Sequence, residues 1–206
     1  MSSPYYPMIL YPPLVRQLRN GNLEQKYLKA PFQGCITLPD ENSIAQQGVS
    51  AKEFFRHLLP AFPGSTICQA VEFEISGYPL HYSTDFIFYH HSSGLALDIE
   101  IDEPYIGNTG KPHHCIDVDD DKIRNRFFLK HNWGVIRFAE IQVVRHPWSC
   151  CKVIAQTIAK LTGDDRVFML LKRLADLPLQ KRWTRCEARL MAKNNYRLSY
   201  LPKMLK

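Results

Sequence analysis

The sequence lacks several features that would place a protein in a class at once. No apolar run approaches the roughly 18 to 20 residues needed to cross a bilayer, and the first residues lack the charged start and apolar stretch of a secretory signal. The six Cys include no C-x-x-C pair, which argues against a zinc ribbon or a thioredoxin-type motif. We therefore expect a cytoplasmic protein with reduced thiols and no membrane contact.

Charged residues are distributed unevenly along the 206 residues. Residues 98–121 contain eight Asp or Glu and one Lys, whereas residues 152–206 contain 13 Lys or Arg and four Asp or Glu. A metal-dependent enzyme acting on polyanions needs both groups, because carboxylates hold a cation and basic residues hold phosphates. On charge alone, a solvated acidic loop is the simpler interpretation.

Periodicity and turn residues divide the chain into three parts. Residues 1–48 are rich in Pro and Tyr without a sustained period, which predicts an extended N-terminal arm. Residues 49–162 predict one α/β domain in the order α-β-β-β-α-β-α, and residues 163–206 predict a basic helical extension. Within the domain, Ser50 and Glu53 predict a capping box for a helix that Pro60 ends. A turn at 76–79 is expected to join the first two strands into a hairpin.

The third strand of this domain alternates strictly between apolar and acidic residues. One side carries Leu95, Leu97, Ile99 and Ile101, and the other carries Ala96, Asp98, Glu100 and Asp102. On the preceding strand, Asp85 lies among apolar residues, where a carboxylate is costly unless it is paired or metal-bound. Adjacent strands would bring Asp85 and Glu100 within reach of one cation. Pairing of these acids with Lys or Arg, or exposure to solvent, is the alternative.

Four motifs in this order resemble those of a known superfamily. They are Ser50-x-x-Glu53, Thr84-Asp85-Phe86, Leu97-Asp98-Ile99-Glu100-Ile101-Asp102, and Asp121-x-x-Arg124-Asn125-x-x-Phe128 followed by Asn132-Trp133-Gly134-Val135-Ile136-Arg137-Phe138. Residues 50 to 161 resemble the PD-(D/E)xK, or restriction-endonuclease-like, nucleases. Within them, the stretch is most similar to small domains of unknown function related to very-short-patch mismatch repair endonucleases.

The resemblance implies a restriction-endonuclease-like core with a mixed central sheet flanked by helices. It implies an endonuclease that uses Mg²⁺, with Mn²⁺ as a substitute, to hydrolyse phosphodiester bonds, most simply in DNA. Asp85 and Glu100 would be the metal ligands, and Glu53 an additional acid reaching the site from the first helix. Asp102 stands where the superfamily usually has Lys, which implies either a second metal ligand or loss of cleavage.

These expectations bear on the assembly of the protein and leave one alternative function. A single active site cuts one strand, so double-strand cleavage would require a homodimer or two sequential events. The alternative function is a catalytically inactive nucleic-acid-binding or assembly subunit of a repair, transposition or defence complex.

His114 is a further candidate, because an inserted loop could return it to the acids. A neutral imidazole there could act as a general base, although a loop histidine bonded to the backbone is the alternative. The string His113-His114-Cys115 does not predict structural zinc, because no matching second pair of ligands is visible.

Basic residues on two predicted helices are candidates for nucleic-acid contacts. On the helix after the acidic loop they are Lys122, Arg124 and Arg126, and Arg124 could instead pair with Asp121. A helical pattern from Gln180 to Leu201 predicts a basic stripe of Arg182, Arg185, Arg189, Lys193 and Arg197. An ordinary solvated helix face is the alternative.

Overall fold

The computed structural model describes residues 3–12, 48–74 and 81–202. In chain order its elements are β1 (Tyr5–Tyr6), β2 (Met8–Leu10), α1 (Ala51–Ala61), β3 (Ser65–Glu74), β4 (His81–His90), β5 (Leu95–Asp102), α2 (Asp120–Lys130), β6 (Gly134–Ala139), α3 (Glu140–Arg145), α4 (Pro147–Thr162), α5 (Arg166–Leu171), β7 (Gln180–Lys181), α6 (Arg185–Lys193) and a 3-10 helix (Tyr196–Ser199). The predicted order of the domain is confirmed, with α3 as an addition. The predicted turn at 76–79 lies outside the described residues, and none of the described helices is long and apolar enough to span a bilayer.

Within the described residues, the sheet has five strands in the order β2-β6-β5-β4-β3. The β5–β6 pair is parallel and the other neighbours are antiparallel, so the chain is a mixed α/β protein. A parallel pair needs a crossover connection, and α2 lies in the segment that joins β5 to β6. The short strands β1 and β7 pair separately.

Helices cover both faces of the sheet. On one face, α1 and α4 pack on Phe86, Phe88 and the apolar side of β5. On the other face, Phe128 of α2 packs with Ile87 and neighbouring apolar residues. The predicted alternation of β5 is therefore confirmed, but its acidic side lies beneath α2 and all eight residues of the strand are buried.

The beginning and end of α1 differ from the prediction. The Ser50 hydroxyl donates to Glu140 Oε1 at 3.0 Å, whereas Glu53 pairs with Arg56 at 2.9 Å. The predicted capping box is therefore wrong, because a distant carboxylate accepts the hydroxyl. The helix also continues through Pro60 to Ala61, since a proline so close to the helix end removes only one intrahelical bond.

The continuous helix predicted from Gln180 to Leu201 is wrong. Gln180 and Lys181 pair with β1 instead. Thr184 then caps α6 by accepting a hydrogen bond from Glu187 N at 3.2 Å, and Asn195 adopts a left-handed φ of 52° before the 3-10 helix. The capping box of Thr184 and Glu187 begins the helix five residues later than periodicity predicts.

Candidate functional site

Asp85 on β4 and Glu100 on β5 lie next to each other across the antiparallel strand pair. Phe86 is opposite Ile99 in the antiparallel register, so Asp85 is opposite Glu100. Asp85 Oδ2 accepts a hydrogen bond from Ile101 N at 2.7 Å, and Glu100 Oε1 accepts one from Asp85 N at 3.1 Å. The structure thus brings together the two acids that the sequence proposed as metal ligands.

Both carboxyl groups hold a proton more tightly than usual. Burial, with the neighbouring Glu100 as the next cause, raises the pKa of Asp85 to about 8. Burial also raises the pKa of Glu100 to about 8, an effect that Arg124 opposes and Asp98 strengthens. In the described part of the chain, no Lys or Arg forms an ion pair with Asp85. A divalent cation beside both groups would offset their repulsion.

Arg124 of α2 neutralises the other side of Glu100. Its Nη2 lies 2.6 Å from Glu100 Oε1, and its two terminal nitrogens lie 3.0 and 3.2 Å from the oxygens of Asp98. It also donates to the Ser83 carbonyl. The guanidinium therefore lies against the sheet rather than towards a substrate, and the alternative pair with Asp121 is replaced by these contacts.

Asp102 belongs to a second buried network. Arg137 donates to both of its oxygens, at 2.9 and 2.6 Å, and the Tyr6 hydroxyl donates to Oδ2 at 2.7 Å. Arg137 also donates to Asp121 Oδ1 at 2.9 Å. Because Asp102 and Arg137 have no solvent exposure, protein donors occupy the carboxylate. The structure argues against Asp102 as a second metal ligand or a catalytic group.

The loop after β5 returns His114 to the acidic side of the sheet, an arrangement that the sequence allowed. Its Nδ1 lies 2.9 Å from both Asp121 Oδ1 and Arg137 Nη2. Burial lowers the pKa of His114, but Asp102 and Asp121 outweigh that effect and raise it to about 9. A charged imidazole cannot take a proton from water, so the geometry does not support a general base here.

The cluster of Asp102, His114 and Asp121 places ligand atoms within 4.8 Å of one another. The guanidinium of Arg137 already supplies positive charge between two of these acids. This cluster is therefore an ion-pair network rather than a vacant cation site.

The remaining acidic candidate is Glu53 of α1. Its side chain is 51% exposed and pairs with Arg56, and among the described residues it hydrogen-bonds to neither Asp85 nor Glu100. The structure does not bring Glu53 to the proposed metal ligands.

The predicted basic stripe is wrong because two of its members are buried. Arg182 precedes α6 and lies over the Tyr6 ring at 5.5 Å. Arg197 follows α6 and makes two bonds of 2.6 Å to Glu140. The exposed members are Arg185, Arg189 and Lys193.

Basic residues line two of the openings in the described part of the structure, and Asp121 contributes to both. One cavity of about 340 Å³ is bordered by Lys111, His113, His114, Arg185 and Arg189. The other, of about 580 Å³, is bordered by Lys122, Asn125, Arg126 and Arg182. Lys122 also pairs with Asp119 at 2.6 Å, and Arg126 is exposed.

Sequence reasoning assigned no role to Arg137, Tyr6 or Glu140, which are central to the buried networks. A signal for Arg137 was present, because alternation in β6 places it on the opposite side from Ile136 and Phe138. In the parallel register it faces Glu100. No comparable local signal marks Tyr6, whose contact with Asp102 spans 96 positions.

Comparisons with protein families, with curated proteins and with solved structures find nothing that matches this chain.

Proposed function

We propose that this chain is a metal-dependent endonuclease with a restriction-endonuclease-like core and that DNA is its substrate. The carrying observation is the pair of Asp85 and Glu100, two adjacent carboxyl groups whose pKa values are both raised to about 8. The order of elements and the mixed sheet between helices agree with the fold that the sequence motifs imply.

The donor set of this pair fits a hard divalent cation. Mg²⁺ prefers oxygen ligands and retains several waters, so two carboxylates leave positions for a phosphate oxygen and a water molecule. Such a cation supplies Lewis-acid activation of the phosphodiester and of the attacking water. Asp85 and Glu100 are held in place by hydrogen bonds to the backbone of β4 and β5.

Exposed basic residues would hold the substrate phosphates. Lys111, Arg185 and Arg189 border one cavity, and Lys122 and Arg126 border the other. Each phosphate contact releases counterions, so the proposal requires salt-sensitive binding. Double-strand cleavage by one such site would need a homodimer or two sequential events.

One contact favours a second candidate function, a nucleic-acid-binding or assembly subunit that does not cleave. Arg124 Nη2 lies 2.6 Å from Glu100 Oε1, so a protein cation already neutralises one of the two acids. Asp102, at the position of the superfamily's usual Lys, is enclosed by Arg137 and Tyr6. These contacts support binding without catalysis.

The proposed function predicts that Asp85→Asn and Glu100→Gln abolish DNA nicking in Mg²⁺ or Mn²⁺. The reason is that each substitution replaces a carboxylate ligand with an amide, which is a weaker partner for a hard cation. Supercoiled, linear, single-stranded and branched DNA would be incubated with each protein, with EDTA as the metal-free reaction. Asp165→Asn is the matched control, because Asp165 is exposed and distant in the chain.

Thermal melting separates loss of the site from loss of the fold. Mg²⁺ should raise the Tm of the wild type by ligand linkage but leave that of Asp85→Asn unchanged. If every DNA stays intact in wild-type reactions while salt-sensitive binding persists in all proteins, the non-cleaving function is correct instead.

A further inference from the structure

Glu103, His113 and His114 bring three metal-ligating groups together on the loop after β5. One ligand atom from each lies within 4.8 Å of the other two, and Glu103 Oε1 is 3.1 Å from His113 Nδ1. In a tetrahedral site with bonds of about 2.0–2.1 Å, neighbouring ligand atoms are about 3.4 Å apart. The three groups therefore need only small adjustments to surround an ion.

The backbone at His114 explains how two consecutive histidines reach one site. Successive side chains of an extended chain point to opposite sides. His114, however, has a φ of 47°, in the left-handed region that non-glycine residues seldom adopt. The centroids of the His113 and His114 rings are consequently only 3.8 Å apart.

Asp121 orients the His114 ring. Its Oδ1 lies 2.9 Å from His114 Nδ1, so an ion would bind at Nε2 and release the proton that the charged ring carries there. A carboxylate bonded to the far nitrogen of a metal-binding histidine fixes its tautomer and ring orientation. Asp121 is itself held by Arg137 at 2.9 Å, so this support is rigid.

We infer that Glu103, His113 and His114 hold a divalent transition-metal ion through one carboxylate oxygen and two imidazole nitrogens. Imidazole suits Zn²⁺ and its neighbours in the first transition row, whereas Mg²⁺ selects oxygen. His113 and His114 line the cavity of about 340 Å³ together with Lys111 and Arg185, so water or an anionic ligand in that cavity would complete the coordination. The ligand set includes neither Asp85 nor Glu100, and the inference does not depend on the proposed function.

The neighbouring thiol is not part of this ligand set. Cys115 Sγ donates to the His113 carbonyl at 3.4 Å and is buried among apolar residues. The sequence alone offered no complete set of ligands, because the third ligand is a carboxylate ten positions before the histidines.

Titration of the metal-free protein with Co²⁺, followed by visible absorption, tests the site directly, and Zn²⁺ calorimetry measures its affinity. With excess Mg²⁺ present to occupy oxygen-only sites, we expect one equivalent to bind to the wild type, and at least tenfold weaker binding to His113→Ala and to Glu103→Gln. The matched control is His91→Ala, an exposed histidine in the β4–β5 turn, which should bind as the wild type does. His113 is 41% exposed, so its removal should leave the metal-free melting curve unchanged.

Several outcomes would overturn the inference. These are the absence of Co²⁺ binding in the wild type, and equal affinity and spectra in the wild type and both ligand variants. A sulfur-to-cobalt charge-transfer band would also do so, because it would put Cys115 in the ligand set. Nicking assays on His113→Ala distinguish failure of this site from failure of the proposed nuclease site, because this variant should lose Co²⁺ affinity while Asp85 and Glu100 remain in place.

Discussion

At the scale of single residues, Arg137 makes the acidic side of β5 compatible with burial. An isolated ionised carboxylate inside a protein is very costly, and it persists only when it is paired and hydrogen-bonded. Arg137 meets this condition for two acids at once, since it donates to Asp102 and to Asp121 and also reaches Asn125. Its planar group of five donors suits such multiple contacts better than a Lys would.

Arg137→Met is expected to lower the free energy of unfolding by about 3–5 kcal/mol, because it leaves buried carboxylates without their cation. Urea denaturation followed by circular dichroism measures the change. Arg126→Met is the matched control on the exposed side of α2, and we expect a change within about 0.5 kcal/mol there. Comparable losses in the two variants would contradict the structural role of Arg137. The double variant with Asp102→Leu should recover part of the stability, because it also removes one of the stranded charges.

At the scale of elements, local patterns predicted β5 better than the cap of α1 and the helix of the C-terminal extension. The bounds of β5 were predicted to the residue, because its apolar and acidic residues alternate at consecutive positions. The cap of α1 was not, because the Ser50 hydroxyl bonds to Glu140, 90 positions away. The spacing of the arginines from 182 to 197 is typical of one helix. Tertiary contacts nevertheless hold the two ends of this segment in other conformations. The partners of the site acids were likewise unpredictable, because they depend on how α2 crosses the sheet.

Glu140 is the attachment point of the C-terminal extension. It accepts hydrogen bonds from Arg197 at 2.6 Å, from Tyr200 at 2.8 Å and from Ser50 at 3.0 Å. Both Arg197 and Glu140 are buried. The extension is therefore joined to the domain by an ion pair rather than lying free as a basic helix.

Arg197→Ala is expected to lower the free energy of unfolding by about 3–5 kcal/mol, since Glu140 would remain buried without its cation. Hydrogen exchange should also show faster exchange at 196–202 than in the sheet, because the extension loses its attachment first. Arg173→Ala serves as the control, as Arg173 is exposed and has no ion pair among the described residues. Unchanged protection of 196–202 in Arg197→Ala would contradict this account.

At the scale of the whole molecule, folding sorts the basic residues into two groups that the sequence does not distinguish. Arg124, Arg137, Arg182 and Arg197 turn inward, where they neutralise acids or lie over aromatic rings. The bases that remain available for a polyanion include Arg185, Arg189 and Lys193 of α6. The segregation of charge was visible in the sequence. The fraction of basic residues that faces solvent, however, depends on which acids the fold buries. The number of Lys and Arg residues alone therefore overstates how many are available for nucleic acid.

The double variant Arg185→Gln/Arg189→Gln tests this division. Because neutralised phosphates release counterions, the slope of log K against log salt should become less steep by about 0.9 for each lost contact on duplex DNA. We therefore expect a reduction of up to about 1.8 for the two residues together, with weaker binding at every salt concentration, measured by fluorescence anisotropy. Arg173→Gln, the same substitution at one exposed residue that does not line the cavity of Lys111 and Arg185, should keep the wild-type slope. An identical slope in the double variant would mean that DNA binds elsewhere on the molecule. Because both guanidinium groups are exposed, their removal leaves no buried charge unpaired.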